Sequence, residues 1–438
     1  MMTLPKSEPI AIIGGGAFGL STALELSKNG YMNITVFEKD EEIPSRWSAA
    51  NDLNKIARAE YEDDWYTDLA IEAMKEWKTP FYAPYFHKVG YLNCCSEAAS
   101  QKAVDTMRRF QAAAERSSVM KPFVHDVKGH EDLLQACWQF TGKLPGWKGY
   151  FNTYDGYVHS ADALRGVYRA ARSNGVRFFL GEKVGAVTEV VYENKNGNRR
   201  SVGVKTQDER VHPASLIVVA AGAAAHKIVP ELGTNVSAKS WSVAHVRLTA
   251  DETAALRGIP VVYARDLGFF FEPDPKTNLL KLCPMGGGYI NTEPSSGISK
   301  APEAPTRFVP YEDELKMKEL LRQTLPHLAD RPLVEKSLCW FADTDDSDFI
   351  IDYVPQTSSS VIVMTGDSGH GFKMFPIVGR WVRDLLIASG SQQPIKRWRW
   401  RDLNLVNGET SQDADVSWRV GEVKEFRDLS ESPMKAKL

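Results

Sequence analysis

Apolar positions along this chain switch between unbroken runs and helical spacing, and the switches mark its elements. Ile10-Ala11-Ile12-Ile13 is a short apolar run rich in β-branched residues, which predicts a buried strand. Leu20, Ala23, Leu24 and Leu26 then recur at helical spacing until Asn29-Gly30, a helix stop. Ile34-Thr35-Val36-Phe37 predicts a second strand, ending at Glu38. Gly175-Val176-Arg177-Phe178-Phe179-Leu180, followed by Val184, reads as a strand and turn, and Leu216-Ile217-Val218-Val219 as a buried strand. Leu279-Leu280-Lys281-Leu282-Cys283 is an apolar strand interrupted by a lysine. Val361-Ile362-Val363-Met364 predicts another strand, which runs into a Gly-rich turn and a helix over about 376–388. The fold class is therefore α/β. It comprises a discontinuous Rossmann-like domain from 1–85, 152–235 and 336–396, and a mixed β-sheet/α domain from 86–151 and 236–335. A polar tail covers 397–438, and the Pro-rich stretch 297–311 reads as a loop over the site.

Composition narrows the class. At 438 residues, with roughly 100–200 per domain, two or three domains are expected. The chain is 43% hydrophobic and 25% charged, ordinary globular values that argue against disorder. The formal net charge of −3 leaves no global field for nucleic acid or anionic lipid. No apolar run reaches the roughly 18 residues that span a bilayer, so no membrane span is expected. The first residues lack a signal-peptide core, and secretion is not expected. Cys94, Cys95, Cys137, Cys283 and Cys339 include no CxxC spacing, which argues against a zinc knuckle or dithiol motif and for a reducing compartment. No metal is expected.

The strongest local signal is Gly14-Gly15-Gly16-Ala17-Phe18-Gly19 between the first strand and the first helix. Gly14 permits a tight turn, Gly16 lets the backbone approach a pyrophosphate, and Gly19 lets helix and strand pack closely. The helix N-terminus offers free N–H groups to phosphates, and Glu38 can accept from a ribose hydroxyl. Strand, GxGxxG, helix, strand and acid in register predict dinucleotide binding. Small residues Ala221 and Gly222 close the 216–219 strand, where the backbone must approach a ligand. Gly286-Gly287-Gly288 follows no strand–helix pattern, so a second, nicotinamide site is not expected.

Further segments carry a family resemblance: Asn51-Asp52-Leu53-Asn54-Lys55-Ile56, Gly146-Trp147-Lys148-Gly149-Tyr150-Phe151, Gly268-Phe269-Phe270-Phe271-Glu272-Pro273, Cys339-Trp340-Phe341-Ala342-Asp343-Thr344, Gly366-Asp367-Ser368-Gly369-His370-Gly371-Phe372-Lys373 and Trp398-Arg399-Trp400-Arg401. Over nearly its whole length the chain resembles the monomeric sarcosine oxidase and FAD-dependent amine oxidoreductase family, its fungal fructosyl amino acid oxidase (amadoriase) branch above all. The resemblance implies an FAD-dependent oxidase of the C–N bond of a secondary amine, with oxygen as acceptor, giving peroxide and an imine that hydrolyses.

It also implies roles. FAD would be held by Gly14, Gly16, Ala17, Phe18, Gly19, Glu38, Lys39, Ser48, Asn54, Lys55, Val184, Ala221, Gly222, Asp343, Gly369, Gly371, Phe372 and Lys373, and joined covalently through Cys339. The helix after the Gly-rich turn would direct its dipole at the flavin pyrimidine. Lys281 would stabilise superoxide, and Asn54 and Lys55 would relay protons at the flavin edge. Lys373 and Arg58 would clamp the substrate carboxylate. Glu272 would meet sugar hydroxyls or the amine, Phe270 would belong to an apolar wall, and Arg399 or Arg401 would cap the pocket. No catalytic base is invoked. His159 and His245 are read as structural, and His370 as lying near the flavin.

The sequence departs from amadoriases after Lys281, where Cys283-Pro284-Met285-Gly286 replaces their Cys-Asp-Glu. The resemblance puts an oxidase of fructosyl (glycated) amino acids first; the alternatives are an oxidase of N-methyl, cyclic or N-alkyl amino acids (sarcosine, pipecolate, saccharopine) or a secondary-metabolite tailoring enzyme, and a flavoprotein acting as a binding partner. The expected partners are the amine, oxygen and a peroxisomal import receptor, the last from the terminal Ala436-Lys437-Leu438. A monomer is expected.

Overall fold

The β-branched runs assemble into a sheet with both faces covered, which is why they read as continuous apolar stretches rather than alternating ones. In this computed structural model, which describes residues 4–195, 198–388, 392–401 and 419–429, the order is Ile350–Tyr353, Val361–Thr365, Leu216–Val219, Ile10–Ile13, Ile34–Glu38, Arg177–Leu180. Ile12 lies between Val218 and Val36, and all neighbours run parallel except the antiparallel edge strand Ile350–Tyr353. The helix Ala17–Lys28 covers one face together with Ser160–Ser173 and Val378–Ile387. A three-stranded antiparallel sheet covers the other, packing Val190 and Val204 on Ala11, Ile13, Ile217 and Val219.

The second sheet has ten strands centred on the long strand Ser237–Arg247. Leu279–Pro284 pairs with one edge of that strand and Val334–Asp343 with the other. The helix Tyr311–Thr324 seals the outer face, with Met317, Leu320 and Leu321 in one cluster with Phe270, Leu280 and Leu282. A small sheet joins Lys55–Ala57 to Gly156–Val158 and Phe86–His87.

Two expectations change. The strand Val334–Asp343, mostly assigned to the nucleotide domain from 336 onward, belongs to the ten-stranded sheet, because Cys339 pairs across to Trp241. Lys424–Glu425 from the tail adds a strand to the same sheet beside Tyr289–Ile290. Among the described residues no helix is long and apolar enough to cross a membrane.

Candidate active site

The Gly-rich turn is shaped by contacts that admit no side chain at two positions. Gly14 has φ +109° and a Cβ there would collide with the Ala220 carbonyl, so the turn lies directly on the end of the Leu216–Val219 strand. A Cβ on Gly19 would collide with the Gly14 carbonyl, which sets how closely the helix approaches the strand. Gly16 differs: a Cβ there would meet only Ser48 Oγ, at 3.2 Å. Gly16 is also the N-cap, and its helix start carries neither a side-chain cap nor an acid in the first turn. Those amides suit a phosphate. Glu38 is buried and oriented by Gly15 N (2.9 Å), Asp40 N (3.0 Å) and Ser45 Oγ (2.9 Å). Gly222 has φ +53°, and a Cβ there would meet no described atom within 4 Å. Lys39 lies over the Trp47 ring, and Val184 is half-buried after the edge strand. The donor set, the bare Gly16 approach and the fixed acid fit a dinucleotide.

A second group converges from four segments. Asp52 Oδ2 accepts from Lys281 Nζ at 2.5 Å and from Lys55 Nζ at 2.7 Å. Lys281 also donates to the Asn54 carbonyl at 2.7 Å, and only 2% of its side chain is exposed. Burial would raise the Asp52 carboxyl, but the two ammonium groups outweigh it and hold it well below the usual carboxylate range. Lys55 Nζ stands 3.9 Å from Cys339 Sγ. Burial raises the Cys339 thiol and Lys55 opposes that rise. Asn54 is fully buried, and both polar atoms of its amide lack a partner among the described residues, which fits a group that presents hydrogen-bonding edges, as a flavin does. His245 pairs in register with Lys281; burial lowers its imidazole and its Nδ1 has no partner.

The strand Lys55–Ala57 carries this group into a third. Arg58 lies over Tyr61 (5.2 Å) and Phe110 (4.7 Å) and donates to the Glu60 carbonyl. Lys373 Nζ lies over the same Tyr61 ring, 4.6 Å from its centroid. Burial pushes the Lys373 ammonium well below its ordinary value, with Arg58 adding to the shift and Glu60 and Asp155 opposing it. Glu60 and Asp155 are buried together. Tyr150 donates to Glu60 at 3.0 Å, Asn152 to Asp155 at 2.7 Å, and burial with Glu60 raises the Asp155 carboxyl. An anion entering here meets Arg58 and Lys373.

The Gly-rich loop lies across the first helix: Gly369 has φ +72°, a Cβ there would collide with the Trp241 ring, and one on Gly371 would lie 3.2 Å from Phe18. Phe372 stacks on Phe375 at 5.2 Å. His370 is held between Tyr61 OH (2.9 Å) and the Ser347 carbonyl (2.8 Å), and burial pushes its imidazole down to about 3, so it stays neutral. His159 contacts the Leu53 carbonyl at 3.3 Å.

Several expected residues stand elsewhere. Phe270 points into the core behind the sheet, 0% exposed, because side chains alternate along its strand; Phe269 and Phe271 face the other side, with Lys281 Nζ 5.0 Å from Phe271. Arg399 donates to the Gln393 carbonyl and Arg401 to Asp346, so both side chains are engaged by groups of the chain itself. Asp343 is taken up by Lys239 and Arg419. Glu272 is engaged by Tyr157 OH (2.8 Å) and Gly258 N (2.7 Å). The helix expected from 376 begins at Val378 after a single turn at Phe372–Met374, and its Gly379 N–H is taken by Ser21 Oγ. Sequence reading missed Asp52, Glu60, Tyr61, Asp155 and Arg265. Asp52 alone left a signal, an acid inside the same motif as Lys55.

A dinucleotide turn opposite a cluster of buried cations defines a flavin-dependent oxidoreductase of the amine-oxidising class. The chain belongs to the FAD dependent oxidoreductase family, whose model matches residues 9–385. It is 32% identical to L-saccharopine oxidase of Schizosaccharomyces pombe over 94% of this chain and 96% of that one. It is 25% identical to peroxisomal sarcosine oxidase of Homo sapiens, covering 85% and 90%. The fold matches the crystal structure of the deglycating fructosamine oxidase (amadoriase II) of Aspergillus fumigatus, with TM-score 0.87, 30% identity and 98% and 97% coverage.

Proposed function

We propose that this enzyme oxidises the CH–NH bond of N-substituted α-amino acids. The observation that carries the reading is the strand Lys55–Ala57 with its flanks. It brings Arg58 to Lys373 at one end, and Asn54 and Lys55 to Lys281 and Cys339 at the other. Arg58 and Lys373 bind the substrate carboxylate. As it binds, the anion favours the charged form of Lys373 and so opposes the lowering that burial imposes, while the amine must reach the reaction neutral. The chemistry supplied by bound FAD is two-electron oxidation of the carbon next to nitrogen, with the electrons passed to oxygen. The balance is amine plus O2 to imine plus H2O2, then imine plus water to carbonyl compound and amine. Lys281, held by Asp52, supplies the positive charge that stabilises reduced oxygen.

Cys339 is the proposed attachment point of the flavin, supported by Lys55 beside its sulfur. The sulfur–carbon bond forms with loss of one hydrogen from each partner, and oxygen accepts the two electrons. A peroxisomal address at Ala436-Lys437-Leu438, which lies outside the described residues, is supported by peroxide production. The chain is proposed to act as a monomer.

The names of its relatives point to three N-substituents, one of them the methyl group of sarcosine. Saccharopine carries a carboxyalkyl group, and amadoriase substrates a fructosyl group. The test is anaerobic bleaching of the flavin by L-saccharopine, fructosyl-glycine, sarcosine and pipecolate in separate cuvettes. Reduction by at least one is expected. Failure of all four would overturn the proposal.

A further inference from the structure

This inference rests on the proposed function and narrows its substrate. Arg265 follows the strand Val261–Ala264 and is 1% exposed. Its guanidinium lies over Phe110 (4.5 Å) and Tyr263 (5.4 Å), its Nε donates to Asn93 Oδ1 at 3.2 Å, and its Nη1 has no partner. No carboxylate pairs with it among the described residues. A buried guanidinium without an anion is costly, because its hydration is lost and nothing replaces it.

Asn93 and Tyr150 relay Arg265 to Glu60, through an Asn93–Tyr150 bond and a Tyr150–Glu60 bond of 3.0 Å each. That relay uses one N–H and leaves the charge two residues from its counter-ion. Glu60 is also shared with Asn152 and lies against the Asp155 carboxyl. A second orphan lies nearby: the Tyr91 hydroxyl is fully buried and unpartnered, and it feels the charges of both Arg58 and Arg265. An N–H donor and an O–H donor in one neighbourhood, beside a positive charge, match a carboxylate.

The cations also form a series. Lys373 and Arg58 share the Tyr61 ring, and Arg58 and Arg265 share the Phe110 ring. Arg265 therefore stands one aromatic ring beyond the clamp for the first carboxylate. We propose that Arg265 and the Tyr91 hydroxyl hold a second carboxylate, so that the preferred substrates are N-(carboxyalkyl) amino acids, with a carboxylate on each side of the secondary nitrogen. A fructosyl substituent offers neutral hydroxyls and would leave the guanidinium without a counter-ion.

The test compares Arg265→Met, Arg265→Lys and Tyr91→Phe in the flavin-loaded enzyme. With L-saccharopine, Arg265→Met should lower kcat/KM by about 10²-fold, chiefly through KM, because a charge-assisted bond is lost. With sarcosine or pipecolate the change should stay within about threefold. Arg265→Lys should recover part of the loss, since the charge returns without the fork. Tyr91→Phe should raise KM for saccharopine while leaving Tm unchanged or higher, as an unpaired buried hydroxyl is removed. Glutarate titrated against the flavin spectrum gives a readout without turnover: it should bind the wild type and bind Arg265→Met about tenfold more weakly, with acetate unaffected. Equal losses on all amines with a lowered Tm would make Arg265 structural and overturn the proposal. So would a wild-type preference for fructosyl-glycine that Arg265→Met leaves intact. If no amine bleaches the wild type, the proposed function fails, and glutarate binding still decides this site.

Discussion

Replacing Asp52 by Asn tests the link between the buried cations and oxygen chemistry. The carboxylate holds Lys281 at 2.5 Å and Lys55 at 2.7 Å from one oxygen, with Lys281 2% and Lys55 23% exposed. At an effective dielectric near 20, unit charges 4 Å apart attract by about 4 kcal/mol, and most of that is offset by desolvation. Deleting one partner of a buried pair costs about 3–5 kcal/mol, because a charge stays behind unpaired. Lys55 is the more exposed partner, so its share is small and Lys281 dominates. Asp52→Asn should therefore lose about 3 kcal/mol in urea denaturation at pH 7. The sign with pH follows from the depressed carboxyl. Its stabilisation is present above the unfolded value of 3.8 and is lost as pH falls through the folded value. The gap between wild type and variant should be flat from pH 5 to 8 and narrow below about pH 4. In stopped flow, flavin reoxidation by O2 should change more than anaerobic reduction by amine, since Lys281 loses its anchor. A stability loss under about 1 kcal/mol, or an equal effect on both half-reactions, would refute the reasoning.

Gly19→Ala should lower FAD affinity by on the order of 10²-fold, read as the ratio of absorbance at 450 and 280 nm, because the new methyl meets the Gly14 carbonyl and the helix must back away. Cys339→Ser should release its flavin into the supernatant on acid precipitation, whereas wild-type flavin should stay with the pellet; flavin released equally from both would remove the covalent link. His370 is neutral when folded and accepts a proton when unfolded. Stability should be complete above pH 6.5 and fall towards pH 3 by up to about 1.4 kcal/mol per unit, and His370→Asn should flatten that limb by about one proton.

The nucleotide half of the fold was legible because its signals are local. The run at 10–13, the glycines and Glu38 lie within thirty residues, and each has one backbone task. The Phe270 assignment failed for lack of strand register: a one-residue step along Gly268–Phe270 exchanges core for site, and nothing in three successive phenylalanines shows which face is which. Arg399 and Arg401 were named from a motif, yet their partners, Gln393 and Asp346, depend on where the tail lies. Lys281 was conspicuous as a charge in an apolar strand, but its counter-ion, 229 residues earlier, was not.

The amino-acid order alone determined the dinucleotide turn and the alternation of strands and helices, since these follow from backbone sterics and periodicity over a few residues, while the flavin-proximal roles came from the motifs' resemblance to a family. The tertiary structure decided which charges meet: Asp52 with Lys281 and Lys55, Arg58 with Lys373, and Arg265 with no carboxylate among the described residues. Those pairings arise from strand register and the packing of distant segments, and the cost of burying a charge is settled only by what lies beside it.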